Sequence, residues 1–596
     1  MPTYKAPVSD TVFLLNDVFD YAKYANAPGF SEAPIDVVQA VLTEGAKFVE
    51  EIVQPLNRVG DLEGCKRDPA GGVTTPKGVK EAYKAFVEGG WVGLAGDPAY
   101  GGQGLPTFLS VLFNEYANSA NLAFAMYPGL TNGAVAALMT HASDELKARY
   151  LPKMTTGEWT GTMNLTEAHC GTDLGLIKTR AVPQGDGVYA ITGEKIFISA
   201  GEHDLADNII HLVLARIDGA PPGVKGISLF LVPKFLPDAN GGIGERNGVV
   251  CGAIEHKMGI HGNSTAVLNY DGAKGWLVGE EHRGLQAMFV MMNGARLGVG
   301  VQGLAISEVA YQNAAAYAKE RRQGRSLKGP VEPEKPADML LVHPDVRRML
   351  LEIRAFNEAA RAFMIWVALS QDEARLSPEA KTRQAAEDRL GLMTPVLKGV
   401  FTDCGFANAV KAQQVLGGHG YIAGWGMEQF VRDARIAMIY EGANGVQALD
   451  LVARKLPKDG GRAIMAFFGE VSQFLAAAKN DAALAPYLGA LEAALGHLQQ
   501  ASMWLSKNGL ADPNNAGAGS YDYMHLLGLT ALGYMWARIV KAGLAKKAKG
   551  ESSPALDAKL TFARFFNERM LPETGAHLAR LSAGAASVMA LPAEAF

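Results

Sequence analysis

Cysteine is scarce: 596 residues carry four, Cys65, Cys170, Cys251 and Cys404. They are scattered, with no CxxC pair, which excludes a disulfide framework and a structural zinc site and suits a reducing compartment. A dominant charge is also lacking. The formal net charge is -5, and no run of Lys and Arg stands out, so neither nucleic acid nor an anionic membrane is an expected partner. The N-terminal MPTYKAPVSD carries acid and proline early and lacks a basic segment followed by an apolar one, so it does not read as a secretory signal. Cytoplasmic location is the expectation. Two stretches look superficially membrane-like. Leu285 to Ile306 is interrupted by Arg296 and by glycines, and Leu526 to Ala537 is too short, so no integral membrane segment is expected.

What is present changes character along the chain. From Ile35 to about Lys153, stretches such as DVVQAVLTEGAKFVEEIVQPL place apolar residues at three and four spacing, the mark of amphipathic helices, and GDLEGCKRDPAGGVTTPKG between them reads as a loop. From Trp159 to Val278, short β-branched runs such as GVYAITGEKIFIS and GISLFLVP alternate with Gly and Pro, predicting a sheet. Helical periodicity returns after Gly284. KGPVEPEKPAD interrupts it as a loop, and SPEAKTRQAAEDRLGL predicts a helix capped by Ser377 with Pro378 in its first turn. Beyond Leu456 the chain is Ala- and Leu-rich helix, with a break predicted at GLADPNNAGAGS.

Several motifs carry no chemistry. GVGVQG, residues 298 to 303, satisfies GxGxxG, but no strand precedes it and no βαβ series surrounds it, so close helix packing explains its glycines better than a nicotinamide site. His256 and His261 in EHKMGIHG have no ligand spacing and read as loop histidines; no metal site is expected. Neither GxSxG nor HExxH occurs, which removes the usual anchors of hydrolase chemistry.

Five segments read together resemble the acyl-CoA dehydrogenase family. LTEAHCGTD is similar to that family's TExxxGSD flavin loop and GEKIFIS to its GEKxxI(S/T) strand. ERRQGR at 320 to 325 resembles RxQFG, QQVLGGHGY at 413 to 421 resembles QxxGGxGY, and RDARIAMIYEGANGVQ resembles RDxRxxxIYEGTxxIQ. The motifs occur in family order over residues 35 to 456.

The resemblance implies an α+β fold, mainly α: a helical domain over 35–158, a β-sheet or barrel domain over 159–280 and a four-helix bundle over 281–456; the extension over 1–34 and the additional helical domain over 457–596 lie outside the span of the motifs. It implies FAD-dependent conversion of an acyl-CoA to a trans-2-enoyl-CoA. Glu441 would take the α proton, which requires desolvation to lift its basicity, here by Ile439 and Tyr440. The Glu441 backbone N–H and a flavin ribityl hydroxyl would hold the substrate carbonyl. Met163, Leu165, Thr166, Gly171, Thr172, Phe197, Ile198 and Ser199 match flavin-ring positions. Arg321, Gln323, Gln414, Gly417 and Gly418 match dinucleotide contacts made in the family across a subunit interface, so a homodimer or dimer of dimers is expected, and Asn444 is a further cofactor-binding position. Thr172, Asn293, Arg296, Tyr440 and Glu441 match substrate contacts, with Arg296 read as a buried charge.

Electrons would pass to an electron-transfer flavoprotein. Related alternatives are an acyl-CoA oxidase using oxygen and a non-catalytic flavin or acyl-CoA binding scaffold. The N-terminal segment and the C-terminal extension resemble a long bacterial branch of the family, which includes 3-methylmercaptopropionyl-CoA dehydrogenases. Two residues depart from the family pattern: Gly324 stands where Phe is usual, and Ala443 where Thr is usual. Loss of the Thr hydroxyl predicts weaker FAD retention.

Overall fold

A computed structural model describes residues 2–596. The chain forms two compact units: one runs through Thr43 and resumes at Val299–Phe596, and the other spans Glu44–Gly298.

In the second unit the helical pattern follows burial. Val79–Glu88 buries Val79, Ala82, Tyr83 and Phe86, one face at three and four spacing. Asp144–Thr156 starts where Ser143 accepts a hydrogen bond from the Leu146 N–H (3.3 Å) and ends at Gly157, whose φ of +90° suits glycine. Leu122–His141, apolar nearly all round, starts at an Asn121 cap (Phe124 N–H to Oδ1, 3.1 Å). By length and composition this helix and Gly284–Glu320 could each cross a membrane, but 61% and 56% of their apolar windows are buried inside the protein. The expected loop at 60–78 is partly ordered: the helix Leu56–Glu63 covers its start, and Lys66–Arg67 pairs with Val73–Thr74 around a turn in which Asp68 accepts from the Gly72 N–H (3.0 Å).

The sheet has seven strands: β1 (Trp159–Asn164), β2 (Arg180–Gly185), β3 (Val188–Ser199), β4 (Asn208–Ile217), β5 (Ile227–Pro233), β6 (Val249–Ile254) and β7 (Thr265–Val278). Its order is β6-β7-β3-β2-β4-β1, and β5 pairs with both β7 and β4, so β7, β3, β2, β4 and β5 close into a barrel-like ring. The β1–β4 and β2–β4 pairs are parallel; the others are antiparallel. Closure buries both faces of β5, which explains its unbroken apolar run ISLFLVP.

The first unit is helical. Residues from Val299 onward in Gly284–Glu320 join Pro344–Leu376, Ala380–Val415 and Met427–Ala437. Two of the GVGVQG glycines serve packing, as expected: a Cβ on Gly300 would fall 2.0 Å from Leu397 Cδ2, and one on Gly303 2.3 Å from the Phe401 carbonyl oxygen, while one on Gly298 would meet nothing within 4 Å. The Ser377 cap is corrected. The helix starts at Ala380 after Glu379 without a side-chain cap, because Ser377 instead terminates the preceding helix and its Oγ bonds the Glu379 N–H at 3.3 Å. The predicted break at GLADPNNAGAGS shrinks to one residue: Gly489–Ala511 ends, Asp512 caps Asn514, and Pro513–Ala548 begins.

Both terminal extensions are fastened to the bundle by one buried ionic cluster. Arg361 reaches Asp10 (2.7 Å) and Glu308 (3.2 Å), Arg354 reaches Glu358 (2.7 Å), and Lys559 reaches Glu358 (2.7 Å) and also Asp10. Burial opposes ionisation of Asp10, yet Lys559 and Arg361 hold its carboxyl well below the usual range. Three acids meet three bases, so none of these buried charges lacks a counter-charge.

Candidate active site

The residues expected to meet the flavin ring follow β1 and end β3. Thr166, Gly171 and Thr172 lie partly or fully exposed on the loop after β1, and Phe197 is 59% exposed at φ +59°. A non-glycine residue in the left-handed region costs about 1–2 kcal/mol, so neighbouring structure must hold it there. Met163, Leu165 and Ser199 are half-buried. Ile198 is 2% exposed with its side chain in the sheet core, so only its backbone could serve a ligand.

What fixes this loop is a buried ion pair drawn from the two motifs themselves. Glu167, the acid of LTEAHCGTD, accepts from the Lys178 N–H (2.7 Å), the Thr179 N–H (3.0 Å), the Thr179 hydroxyl (2.6 Å) and Lys195 Nζ (2.9 Å); Lys195, the lysine of GEKIFIS, also donates to the Leu165 carbonyl (3.0 Å). Lys195 is 0% and Glu167 5% exposed. Burial works against the Glu167 charge, but Lys195 and the surrounding donors hold its pKa below normal; for Lys195, desolvation prevails and lowers it. The Ile196 N–H bonds the Thr166 carbonyl (2.9 Å), tying strand to loop. Glu167, His169 and Cys170 also bring three potential ligand atoms within 4.8 Å of one another. Glu167 Oε1 is already filled by Thr179 and Lys195, and Oε2 accepts the Lys178 N–H, so this carboxylate is engaged in bracing the loop.

Asn293 is exposed and Arg296 half-exposed on Gly284–Glu320. The Arg296 Nε is nonetheless enclosed by protein, so the charge is partly rather than fully buried.

In the first unit, Glu441 lies between Met427–Ala437 and Asn444–Asp450, at φ +55°, followed by Gly442 at φ +85°. Two successive left-handed residues reverse the chain and leave Glu441 half-buried. Ile439 beside it is 51% exposed, more open than the desolvating neighbour expected. Burial, with the Glu441 carboxylate adding, pushes the Tyr440 phenol well above its usual range, and its hydroxyl donates to Gln302 Oε1. A substrate contact by Tyr440 would therefore fall to its ring.

The turn is held from behind. Lys398, 0% exposed, donates to the Gly442 carbonyl (2.7 Å) and to Asn444 Oδ1 (2.8 Å), and Gln447 Nε2 donates to the Glu441 carbonyl (3.1 Å). Asn444 donates in turn to Asp403 Oδ1 (2.7 Å) and the Thr402 hydroxyl (2.9 Å). With Asn444 6% exposed and its amide spent internally, the structure gives this side chain a role in the turn.

ERRQGR folds around Asp338, a residue that carried no signal in the sequence. Its carboxylate accepts from the Ser326 (2.9 Å) and Glu332 (3.0 Å) N–H groups and from Arg325 (3.2 Å), and the Glu332 and Ser326 bonds lead in holding its pKa well below normal. Arg322 pairs with Glu332 (2.9 Å). Two of the three arginines are thus used inside the loop, leaving Arg321 and Gln323 exposed. Gly324 sits at φ +72°, where the usual Phe would be strained, so the departure belongs to this loop's own fold. Gln414, Gly417 and Gly418 are exposed, together with Tyr421 (84%) and Trp425 (42%), and His419 stacks on Trp425 at 4.6 Å.

Each unit by itself offers groups that suit part of a flavin dinucleotide. Thr166, Thr172 and Ser199 offer hydroxyls near an exposed aromatic ring, Arg321 offers an exposed guanidinium, and a Cβ at Gly417 or Gly418 would meet nothing within 4 Å, which leaves room for close approach to the backbone.

A helical segment, a barrel-like sheet, a helical bundle and the five motifs together define an acyl-CoA dehydrogenase. Residues 39–158, 162–273 and 282–456 match the family's N-terminal, middle and C-terminal domains, and residues 467–592 match a domain described as "Acetyl-CoA dehydrogenase C-terminal like". The chain belongs to the acyl-CoA dehydrogenase family; it is an oxidoreductase acting on acyl-CoA, and the family is FAD-dependent. It is 43% identical to the 3-methylmercaptopropionyl-CoA dehydrogenase of Ruegeria pomeroyi over 97% of this chain and 98% of that protein. It is 34% identical to the broad-specificity linear acyl-CoA dehydrogenase FadE5 of Mycobacterium tuberculosis over 96% of each. Among solved structures, Caenorhabditis elegans ACDH-11 in complex with C11-CoA shares the fold at a TM-score of 0.77, with 21% identity over 96% of this chain and 92% of that one.

Proposed function

We propose that the protein removes the α proton and β hydride of an acyl-CoA thioester to give the trans-2-enoyl-CoA, with Glu441 as the base. The observation that carries this is the Glu441 turn: a half-buried carboxylate, displayed at φ +55° and braced by Lys398 and Gln447 through the carbonyls of Gly442 and Glu441. Such a carboxylate accepts a proton once bound substrate excludes water around it. Its backbone N–H would hold the developing enolate charge. Thr166, Thr172 and Ser199 beside Phe197 would hold the ring of FAD, which would supply the acceptor for the hydride, and Arg321, Gln323 and the 414–418 segment would hold the dinucleotide end of an FAD bound across a subunit interface.

Identity to the Ruegeria enzyme supports 3-methylmercaptopropionyl-CoA as substrate. An electron-transfer flavoprotein is the proposed acceptor of the electrons, and the exposed Gln414, Gly417 and Gly418 beside Tyr421 and Trp425 support a homo-oligomer. Glu441→Gln should lower turnover by about a thousandfold while FAD stays bound. Near-normal turnover by FAD-loaded Glu441→Gln would remove the base assignment. Anaerobic flavin bleaching across methylthio, short and long acyl-CoAs tests the substrate, and peroxide yield with and without the flavoprotein tests the acceptor.

A further inference from the structure

The C-terminal extension touches the Glu441 turn through a continuous set of hydrogen bonds. On Pro513–Ala548, Tyr521 and His525 lie one helical turn apart on one face, and both donate to the same oxygen of Asp403: Tyr521 Oη at 2.6 Å and His525 Nε2 at 2.9 Å. The other Asp403 oxygen accepts from Asn444 Nδ2 at 2.7 Å, and Asn444 Oδ1 accepts from Lys398 Nζ, which also holds the Gly442 carbonyl. The amide of Asn444 is thus sandwiched between a buried cation and an anion. That charge order fixes its orientation, oxygen toward Lys398 and nitrogen toward Asp403, where an amide between neutral groups could sit either way.

Asp403 is the weak member of this set unless the extension supplies its donors. Its side chain is 11% exposed, and burial disfavours the charge; the hydrogen bonds from His525 and Tyr521 lead the effects that keep it ionised. Without them the carboxylate would take up a proton or turn toward water, and Asn444 would lose its anionic partner. The Gly442 carbonyl and the left-handed Glu441 would then be held by fewer bonds.

We propose that Tyr521, His525 and Asp403 are positioning residues through which the C-terminal extension sets the placement of Glu441. The inference rests on the reading of Glu441 as base. It gives the extension a function in the reaction, and it gives Asn444, next to the departing Ala443, the role of central tie.

The test uses the full-length FAD-loaded enzyme carrying Tyr521→Phe with His525→Phe, or Asp403→Asn alone. Both should lower kcat about tenfold with KM for the acyl-CoA within twofold, as expected when a reacting group is misplaced by a fraction of an ångström. Hydrogen exchange in the 438–447 peptide should quicken while the rest of the bundle is unchanged. Combining the substitutions should add little, because both act on one connection. Tyr521→Phe alone, which keeps the ring, should show a smaller effect of the same pattern. Unchanged kcat and exchange would overturn the inference, as would additive losses or quickened exchange across the whole bundle. Glu441→Gln is measured in parallel. Its retained turnover would overturn the base reading, while the exchange pattern at 438–447 still decides the mechanical connection.

Discussion

The loop after β1 and the turn at Glu441 solve one problem in two ways. Each displays exposed or half-exposed groups from strained backbone, and each is braced from behind by buried charge. In the loop, the brace is Glu167 with Lys195, and both ions belong to the motifs they support. In the turn, the brace is Lys398, Asn444 and Asp403, completed by Tyr521 and His525 from a helix that begins at Pro513. A local brace can be read with its motif. A distant one ties the site to a domain whose sequence shows no sign of the chemistry.

The largest way to break the comparison is Lys195→Met, which leaves Glu167 buried without its cation. Removing one partner of such a pair costs about 3–5 kcal/mol, so the denaturation midpoint should drop sharply; a change under about 1 kcal/mol would show that the loop does not depend on this pair.

Acid should weaken both braces. Glu167 and Asp403 have folded-state pKa values below their unfolded ones, so their contribution is complete above the ordinary carboxylate range near pH 4 and is lost as pH falls toward the depressed values. Melting temperature should fall below about pH 4. Asp403→Asn should flatten that fall only in part, since Glu167 and Asp10 continue to titrate; an unchanged slope would leave Asp403 out of the linkage.

A smaller effect is expected from restoring the family residue at Gly324. Gly324→Phe must adopt φ +72°, at a cost of about 1–2 kcal/mol, and crowds His343, which lies 3.2 Å from the position of a Cβ. Faster proteolysis within 321–343 checks this, and a stabilised variant would contradict the loop geometry described above.

The smallest is Ala443→Thr. Ala443 caps Asn444–Asp450 without a side-chain bond, and a Thr hydroxyl there could accept one, raising stability by about 0.5–1 kcal/mol. The same variant tests the missing hydroxyl: slower FAD release in a dilution assay is expected, and unchanged release would show that position 443 does not contribute to retention.

The helical and sheet segments were legible because apolar spacing of 3.6 or 2 is set by local geometry, and GVGVQG was readable as a packing seam because nothing around it made a nucleotide fold. The Ser377 cap failed for a local reason as well: Ser, Pro and Glu favour a helix start, but the preceding helix claimed Ser377 as its own end. Lys398 offered a faint signal, one lysine in the apolar PVLKGVF, since a buried cation must find an anion or oxygen partners. Asp338 offered none, because apart from Arg325 its partners are backbone N–H groups of a loop.

By itself the sequence determined the family, the order of helical and sheet segments, and the carboxylate to test as base, all carried by motifs whose chemistry lies within a few residues. Only the tertiary structure decided that Arg296 is partly exposed, that Asn444 is a tie within the turn, and that the C-terminal extension reaches the Glu441 turn. Hydrogen bonds and buried charges act between groups a few ångströms apart in space, and the Asp403–Tyr521 contact spans 118 residues of sequence. No local pattern records that proximity; packing creates it.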